Sequence, residues 1–321
     1  MDSITINDVA KLAGVSKATV SNVMNRKGNV SEKTIRRVLD ACKNLDYYPS
    51  FAASSLATRR TGIFGLFIYE REDPFEDGVC LNLMEGLILE SAKVDMQLLV
   101  YYGTTEMKMQ HIINGKGPLD GAVILRPVRN DFRIKALSQN AIKTVIVGTP
   151  VGNDNSQALY VDVNNIQMTQ EIINRLIRFG AKQFLFINSR ADYSVSQERN
   201  IGFYNALTEN GISTEDSLVI NLSSINGSVV EIARSFLDRH PENTAIINTF
   251  ANTSENIFGS VRFHDRKVMI FDFERVFVNY KNLGEKAFRL LYDSLNEKEL
   301  EQIPKHQIAP YTIDYSQLAF Q

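Results

Sequence analysis

The sequence predicts an all-α headpiece carrying a helix-turn-helix, followed by an α/β body of parallel sheets with covering helices, built in two halves. Three observations lead there. Helix caps and apolar spacing mark three short helices before residue 48. Beyond residue 60, short apolar runs alternate with helical patterns, the arrangement that parallel sheets require. The charge is also divided. Residues 1–60 hold ten Lys or Arg and five Asp or Glu, whereas the rest of the chain holds 25 and 32. A basic segment on an acidic body implies a polyanionic partner for that segment and a different task for the body.

The first helix is expected over 6–13, with Ile6, Val9, Ala10 and Ala13 on one face. Thr5 and Asp8 form a variant capping box, and Gly14 ends the helix because it accepts positive φ. Ser16 caps a second helix over 17–24, with Val20, Val23 and Met24 inward. Ser31 caps a third to about Leu45, with Ile35, Val38, Leu39 and Cys42 inward. The short turn between the first two gives helix-turn-helix spacing. The second helix then presents Lys17, Ala18, Ser21 and Asn22 outward, where a recognition helix meets base edges in the major groove. Thr5, Ser16, Thr19, Asn25, Arg26, Lys27, Ser31 and Tyr47 are assigned to phosphates, which fix register without reading sequence. A helical hairpin used for protein contacts is the competing reading.

Pro49 stops the third helix, and Ser50 caps an Ala-rich segment of two turns, too short to be stable alone. It would fold only against DNA or a second copy. Leu56 is its one large apolar side chain, suited to wedge between base steps in the minor groove. A plain linker would look similar.

These residues carry a family resemblance. The run from Thr5 to Ser16 with Ala18-Thr19-Val20-Ser21, then Val30-Ser31-Glu32-Lys33-Thr34, Leu45-Asp46-Tyr47-Tyr48-Pro49 and Ala53-Ser54-Ser55-Leu56, resembles the headpiece and hinge of the LacI/GalR transcriptional regulators. The resemblance implies a repressor that binds a near-palindromic double-stranded DNA operator as a homodimer. Ser50, Ala53, Ser54, Leu56 and Arg59 would then meet the minor groove. Asn22 departs from the family, which usually has Arg there. Asn pairs well with adenine N6 and N7 but cannot span guanine O6 and N7 as Arg does. An altered operator base follows, unless Asn22 contacts only phosphate or water.

The resemblance also implies that the body is two-lobed and periplasmic-binding-protein-like, with three crossings of the chain between lobes. The expected boundaries are 1–48 for the headpiece, 49–60 for the hinge, 61–158 plus 276–303 for the N-terminal lobe, and 159–275 plus 304–321 for the C-terminal lobe. Ligands of open parallel sheets lie beyond the carboxyl ends of strands, here the cleft between lobes. Tyr69, Phe75, Arg126, Tyr193, Arg199, Asn248 and Asp272 are the candidate effector contacts. By resemblance, Arg199 in Gln197-Glu198-Arg199-Asn200-Ile201-Gly202-Phe203 reaches the effector. Phe75 would pack on its apolar face, and Asp272 would accept from its hydroxyls. The family's Asn-Asp is here Asn248-Thr249, which loses a carboxylate, and the following stretch is shorter than usual.

Composition narrows the remaining classes. Hydrophobic residues make up 44% and charged residues 22%, the profile of a globular protein in water. The start reads Met1-Asp2-Ser3 without an apolar core, and Ile63 to Tyr69 is too short to span a bilayer, so a cytoplasmic protein without a membrane partner is expected. Cys42 and Cys80 are expected as two buried thiols. His111, His240, His264 and His306 show no metal-ligand spacing, and no phosphate loop or nucleophile elbow appears. No enzyme, cofactor or metal is expected. The small molecule, if one acts, is a sugar or related metabolite. The alternative is a regulator controlled by a protein partner, or by no small molecule.

Overall fold

The computed structural model describes residues 4–24, 28–48, 55, 60–68, 78–103, 105–114, 118–152, 158–222, 227–249, 267–296 and 305–316. Two compact units emerge, Met1–Gly62 and Ile63–Gln321.

In the first unit, α1 (Ile6–Ala13) starts at an extended Thr5, whose N–H and hydroxyl donate to the Asp8 carboxylate at 2.9 and 2.7 Å. Gly14 takes φ 61°, and the Val15 N–H closes the helix end on Ala10 O at 3.0 Å. α2 (Lys17–Met24) begins at Ser16, whose Oγ accepts the Thr19 N–H at 3.0 Å. α3 (Glu32–Asn44) begins at Ser31, whose Oγ accepts from Thr34. Helices this short do not persist alone in water. They are held by a shared core of Val9, Ala10, Ala13, Val20, Val23, Val38, Ala41 and Cys42, with Ile35 and Met24 packed at its edge. Leu39 does not join it. One 100° step beyond Val38 carries it off the face that Val38, Ala41 and Cys42 define, and it is 50% exposed. Of the hinge segment only Ser55 and Arg60 are described, and Ser55 is helical.

The second unit opens with β1 (Ile63–Ile68), α4 (Gly78–Ala92), β2 (Gln97–Tyr102), α5 (Glu106–Asn114), β3 (Gly121–Leu125), α6 (Phe132–Gln139), β4 (Lys143–Val147) and β5 (Leu159–Val163). A second series follows: α7 (Asn165–Arg178), β6 (Gln183–Ser189), α8 (Ser194–Glu209), β7 (Ser217–Leu222), α9 (Gly227–Arg239), β8 (Glu242–Asn248) and β9 (Lys267–Asp272). The chain ends in β10 (Val276–Val278), α10 (Tyr280–Leu295), β11 (His306–Ala309) and β12 (Tyr311–Ile313). The described strands form a parallel sheet of order β11-β5-β4-β3-β1-β2, a parallel sheet of order β7-β6-β8-β9, and the antiparallel pair β10-β12.

The lobe boundary expected at 158/159 is corrected by this pairing. Leu159–Val163 belongs to the first sheet, with Val161 opposite Val147, and His306–Ala309 extends that sheet beside β5. Both were assigned to the C-terminal lobe. Apolar alternation marks a strand without saying which sheet it enters, and the crossing to the second sheet comes one element later, at α7. α10 returns to pack on α4, β3, β4 and β5, and β12 leaves the first sheet again to pair with β10.

One continuous core joins Phe64, Leu66, Val123, Val145 and Val161 of the first sheet to Phe184, Phe186, Ala245, Ile247 and Met269 of the second. The outer faces have separate cores under α5 and α6 and under α9. α4 and α10 cross closely enough that a Cβ on Gly86 would lie 2.0 Å from Lys281 O, and one on Gly284 2.2 Å from Leu83 O. Buried Glu90 of α4 clasps that crossing by accepting from Arg289 of α10 at 2.7 Å, and from Lys93 as well. These two bonds pull the Glu90 carboxyl down to a pKa of about 2. Cys42 and Cys80 are buried thiols, as expected. No helix among the described residues is long and apolar enough to cross a membrane.

Candidate DNA interface and inter-lobe cleft

α2 presents Lys17, Ala18 and Asn22 exposed and Ser21 half-buried, while Val20 and Val23 point into the core. The carboxamide of Asn22 faces the Gly28 turn, 3.8 Å from where a Cβ on that glycine would sit. Thr5, Ser16 and Ser31 are exposed at helix starts and Thr19 is half-buried. Their hydroxyls are engaged in capping: Ser16 Oγ meets Thr19 Oγ1 at 2.9 Å, and Ser31 Oγ meets Thr34 Oγ1 at 3.0 Å. Tyr47 is half-buried at the end of α3, its N–H donating to Cys42 O at 2.9 Å, and burial raises its phenol pKa. Helix starts with exposed N–H groups and nearby cations suit phosphate oxygens. Asn25, Arg26, Lys27, Ser50, Ala53, Ser54, Leu56 and Arg59 lie outside the described residues.

In the body, the loop after β3 meets the loop after β6. Val128 bridges Tyr193, Arg129 N–H donates to Asp192 O at 2.8 Å, and Ser194 N–H donates to Pro127 O at 3.2 Å. Tyr193 is therefore 2% exposed, at the start of α8. Arg126, at the carboxyl end of β3, takes φ 50°, a left-handed value that is unusual for a side-chain-bearing residue. Its N–H reaches Val147 O at 3.2 Å, and its carbonyl accepts from Arg133 Nη2 at 3.3 Å. Arg133 is fully buried. It pairs with buried Asp131 at 2.6 Å and also donates to the carbonyls of Phe67 and Leu125 at 3.2 and 3.4 Å. It ties together the strand ends that carry Arg126.

Arg199 of α8 stacks on Phe273, its Cζ 4.6 Å from the ring centroid. Its Nε is buried without a hydrogen-bond partner among the described residues. Burial lowers the pKa of both arginines, and the nearby charge of Arg126 lowers that of Arg199 further, against the opposing effects of Tyr280, Asp162 and Glu198. Those two acids are bonded mainly to neutral donors. Asp162 accepts from Thr149 N–H and Oγ1 at 2.7 and 2.9 Å, from Val163 N–H at 2.7 Å and from Asn165 Nδ2 at 3.3 Å. Asn165 also donates to Glu198 at 3.0 Å. Burial raises both carboxyl pKa values, and the charge of Asp162 adds to the rise at Glu198.

The contact between these loops joins the end of β3, which carries Arg126, to the start of α8, which carries Tyr193 and, farther along, Arg199. Asn248 and Asp272 meet each other, Nδ2 to Oδ1 at 3.0 Å, at the ends of β8 and β9. Tyr69 and Phe75 lie outside the described residues. Thr249, where the family's carboxylate would stand, turns its hydroxyl to Asn188 at 3.3 Å. Arg133, Phe273 and Tyr280 were not anticipated. Arg133 is an inward arginine on a helix that the apolar pattern did not reveal, and Phe273 and Tyr280 follow a strand end, the one available signal.

Residues 5–50 match the family model of bacterial regulatory proteins of the lacI family, and residues 80–270 match that of periplasmic binding proteins and the sugar binding domain of the LacI family. The chain belongs to the LacI family. Among its LacI-family relatives, the HTH-type transcriptional regulator CelR of Thermobifida fusca is 31% identical over 250 residues, covering 75% of this chain and 72% of the relative. The HTH-type transcriptional regulator MalR of Streptococcus pneumoniae (strain ATCC BAA-334 / TIGR4) is 24% identical, covering 95% and 98%. The lac repressor dimer bound to operator and the anti-inducer ONPF shares the fold, with a TM-score of 0.74 at 16% identity over 98% of each chain. This LacI-family chain is accordingly a DNA-binding transcriptional regulator and not an enzyme.

Proposed function

We propose that the chain is a cytosolic repressor that binds a near-palindromic operator as a homodimer, with affinity set by a small molecule in the inter-lobe cleft. The observation that carries the DNA reading is the outward face of α2, where Lys17, Ala18, Ser21 and Asn22 stand on a helix whose other face is locked into the headpiece core. Lys17, Ala18, Ser21 and Asn22 read bases in this proposal. Thr5, Ser16, Thr19, Ser31 and Tyr47 hold phosphates, together with Asn25, Arg26 and Lys27.

Homodimerisation is supported by an apolar surface on the first lobe. Leu81, Ile88 and Leu89 of α4 are each more than 40% exposed, and edge strand β2 exposes Leu99, Val100 and Tyr102. A long apolar edge strand beside an apolar helix face invites a second copy. Effector control is supported by the contacts between the loops after β3 and β6, which link the two lobes. A ligand that favours closure shifts the lobe arrangement at the dimer interface and so the pairing of hinge helices, with Leu56 in the minor groove. The relatives' names and the sugar-binding domain description favour a sugar-like effector.

Two measurements test this. Leu89→Glu should convert a dimer to a monomer in analytical ultracentrifugation and weaken operator binding, and a wild-type monomer at micromolar concentration would refute the dimer. Leu56→Ala should weaken specific binding while leaving binding to random DNA near wild type, and equal losses on both would refute the hinge role.

A further inference from the structure

The two lobes meet through main chain beyond the carboxyl ends of β3 and β6. Val128 and Tyr193 face each other as one antiparallel bridge. Arg129 N–H donates to Asp192 O at 2.8 Å and Ser194 N–H donates to Pro127 O at 3.2 Å, so both bonds run from one lobe to the other. Val128 and Tyr193 are buried between them. A main-chain bond does not require a long side chain to be held in one rotamer, so it fixes spacing more firmly than a surface ion pair does.

Each half of the bridge is ordered within its own lobe. In the first, residues 126–130 are bounded by two left-handed residues, Arg126 at φ 50° and Asn130 at φ 55°. Buried Asp131 accepts the Val128 N–H at 3.2 Å, and Asn130 N–H donates to Val151 O at 3.0 Å. Arg133, paired with Asp131, donates to Arg126 O at 3.3 Å. Gly148 comes so close that a Cβ there would lie 2.7 Å from Pro127 Cδ. In the second lobe, Arg190 pairs with Asp192, and its Cζ lies 5.4 Å from the Tyr193 ring centroid. Asn188 Nδ2 donates to Ser196 O at 2.9 Å, and the Ser189 and Ser196 hydroxyls meet at 2.6 Å. Loops ordered in advance lose little freedom when they dock.

We propose that this bridge is a latch that sets the arrangement of the lobes in the ligand-free chain and, through it, operator affinity. The latch needs no ligand and so goes beyond the effector reading; it takes from the proposed function only that lobe arrangement governs DNA binding. A small molecule beyond the same strand ends changes the arrangement only if its preference for the new one exceeds the hold of the latch on the old.

Ser194→Pro in the full chain is the test. Ser194 is the first residue of α8, where the missing N–H and fixed φ of proline are tolerated. Tyr193 before it already has φ −74° and ψ 136°, the extended backbone that a following proline requires. The substitution deletes the Ser194–Pro127 bond and sets a ring carbon against the Pro127 carbonyl. Hydrogen exchange resolved to single amides reads the result on the opposite lobe. The Arg129 amide is bonded across the lobes, while those of Val128 and Asn130 are bonded within the first. Arg129 should exchange about tenfold faster in the variant, the scale of one lost hydrogen bond, with Val128 and Asn130 near wild type. Affinity for a duplex recovered by randomised-site selection should move by about three- to tenfold, up or down according to which arrangement grips DNA.

A wild-type Arg129 amide that exchanges like an exposed one, or an equal rate in the variant, would overturn the latch. Faster exchange with unchanged operator affinity would overturn its control of DNA binding. The exchange readout involves no ligand, so a failed effector reading would leave it intact. If circular dichroism shows Ser194→Pro unfolded, the double variant Val128→Cys, Tyr193→Cys replaces it. Facing residues of such a bridge have Cα atoms about 4.5 Å apart, within disulfide reach. Mild oxidation should cross-link the two positions within one chain, located by peptide mapping, and no cross-link in the folded chain would overturn the latch.

Discussion

Arg133→Met tests how the strand ends of the first lobe are held. The substitution keeps an unbranched apolar stem of similar reach but deletes a guanidinium whose side chain, like that of Asp131, is fully buried. Asp131 would keep backbone bonds from Val128 and Arg133 at 3.2 and 2.9 Å, and lose its bonds to Arg133 Nε and Nη2. The carbonyls of Phe67, Leu125 and Arg126 would lose a donor at once. Breaking one side of a buried pair costs about 3–5 kcal/mol, chiefly because the other charge is left uncompensated. For a body of this size that corresponds to roughly 6–20 °C in melting temperature. Urea unfolding of the single variants Arg133→Met and Asp131→Asn, and of the double variant, measures it. The double variant should lose less than the sum of the singles by at least 1 kcal/mol, the signature of a shared interaction. Additive losses, or a single-variant loss below about 1 kcal/mol, would refute the reasoning.

Three further outcomes follow from other parts of the molecule. Glu90 has a folded pKa of about 2 against an ordinary 4.5, so its stabilising contribution is present above pH 4.5 and is lost as pH falls toward 2. Glu90→Gln should therefore flatten the acid limb of the stability profile in that window, and an unchanged limb would contradict the clasp. Gly284→Ala should destabilise by about 1–3 kcal/mol in urea despite the helix propensity of alanine, because its Cβ meets a backbone carbonyl; Gly78→Ala, with nothing within 4 Å, should be neutral or better. For DNA reading, randomised-site selection on wild type and Asn22→Arg should yield different preferences at one half-site position, with adenine favoured by wild type and guanine by the variant. Identical preferences would leave Asn22 without a reading role.

Caps carried most of what the sequence told about the headpiece. Thr5, Ser16, Ser31 and Gly14 each end a helix by a local bond or a local φ, so residue identity alone places them. The two-series body was legible because β1, β3, β6 and β8 are near-continuous apolar runs buried on both faces. α6 was not, since its inward face includes Arg133, which breaks the apolar period for a reason found only in the folded strand ends. β7 was missed because the edge strand Ser217–Leu222 buries none of its residues fully and lacks that contrast. Membership of β5 and β11 in the first sheet depends on pairings between distant parts of the chain, which no local pattern encodes. The same holds for the cleft: Arg199 came from a motif, while its neighbours Phe273 and Tyr280 are assembled by chain crossings.

The glycine-lined contact between α4 and α10 has a mechanical consequence. α4 carries apolar side chains on the side away from α10 and has no spare ångström on the side toward it. Sliding either helix along the other would drive Lys281 O or Leu83 O into an adjacent backbone. The pair consequently behaves as one stiff strut running from the outer face of the first lobe to the segment by which the chain returns from the second. Displacement of the lobes would be delivered to the α4 surface undiminished, as a tilt of the whole strut, instead of being absorbed by side-chain repacking along the way.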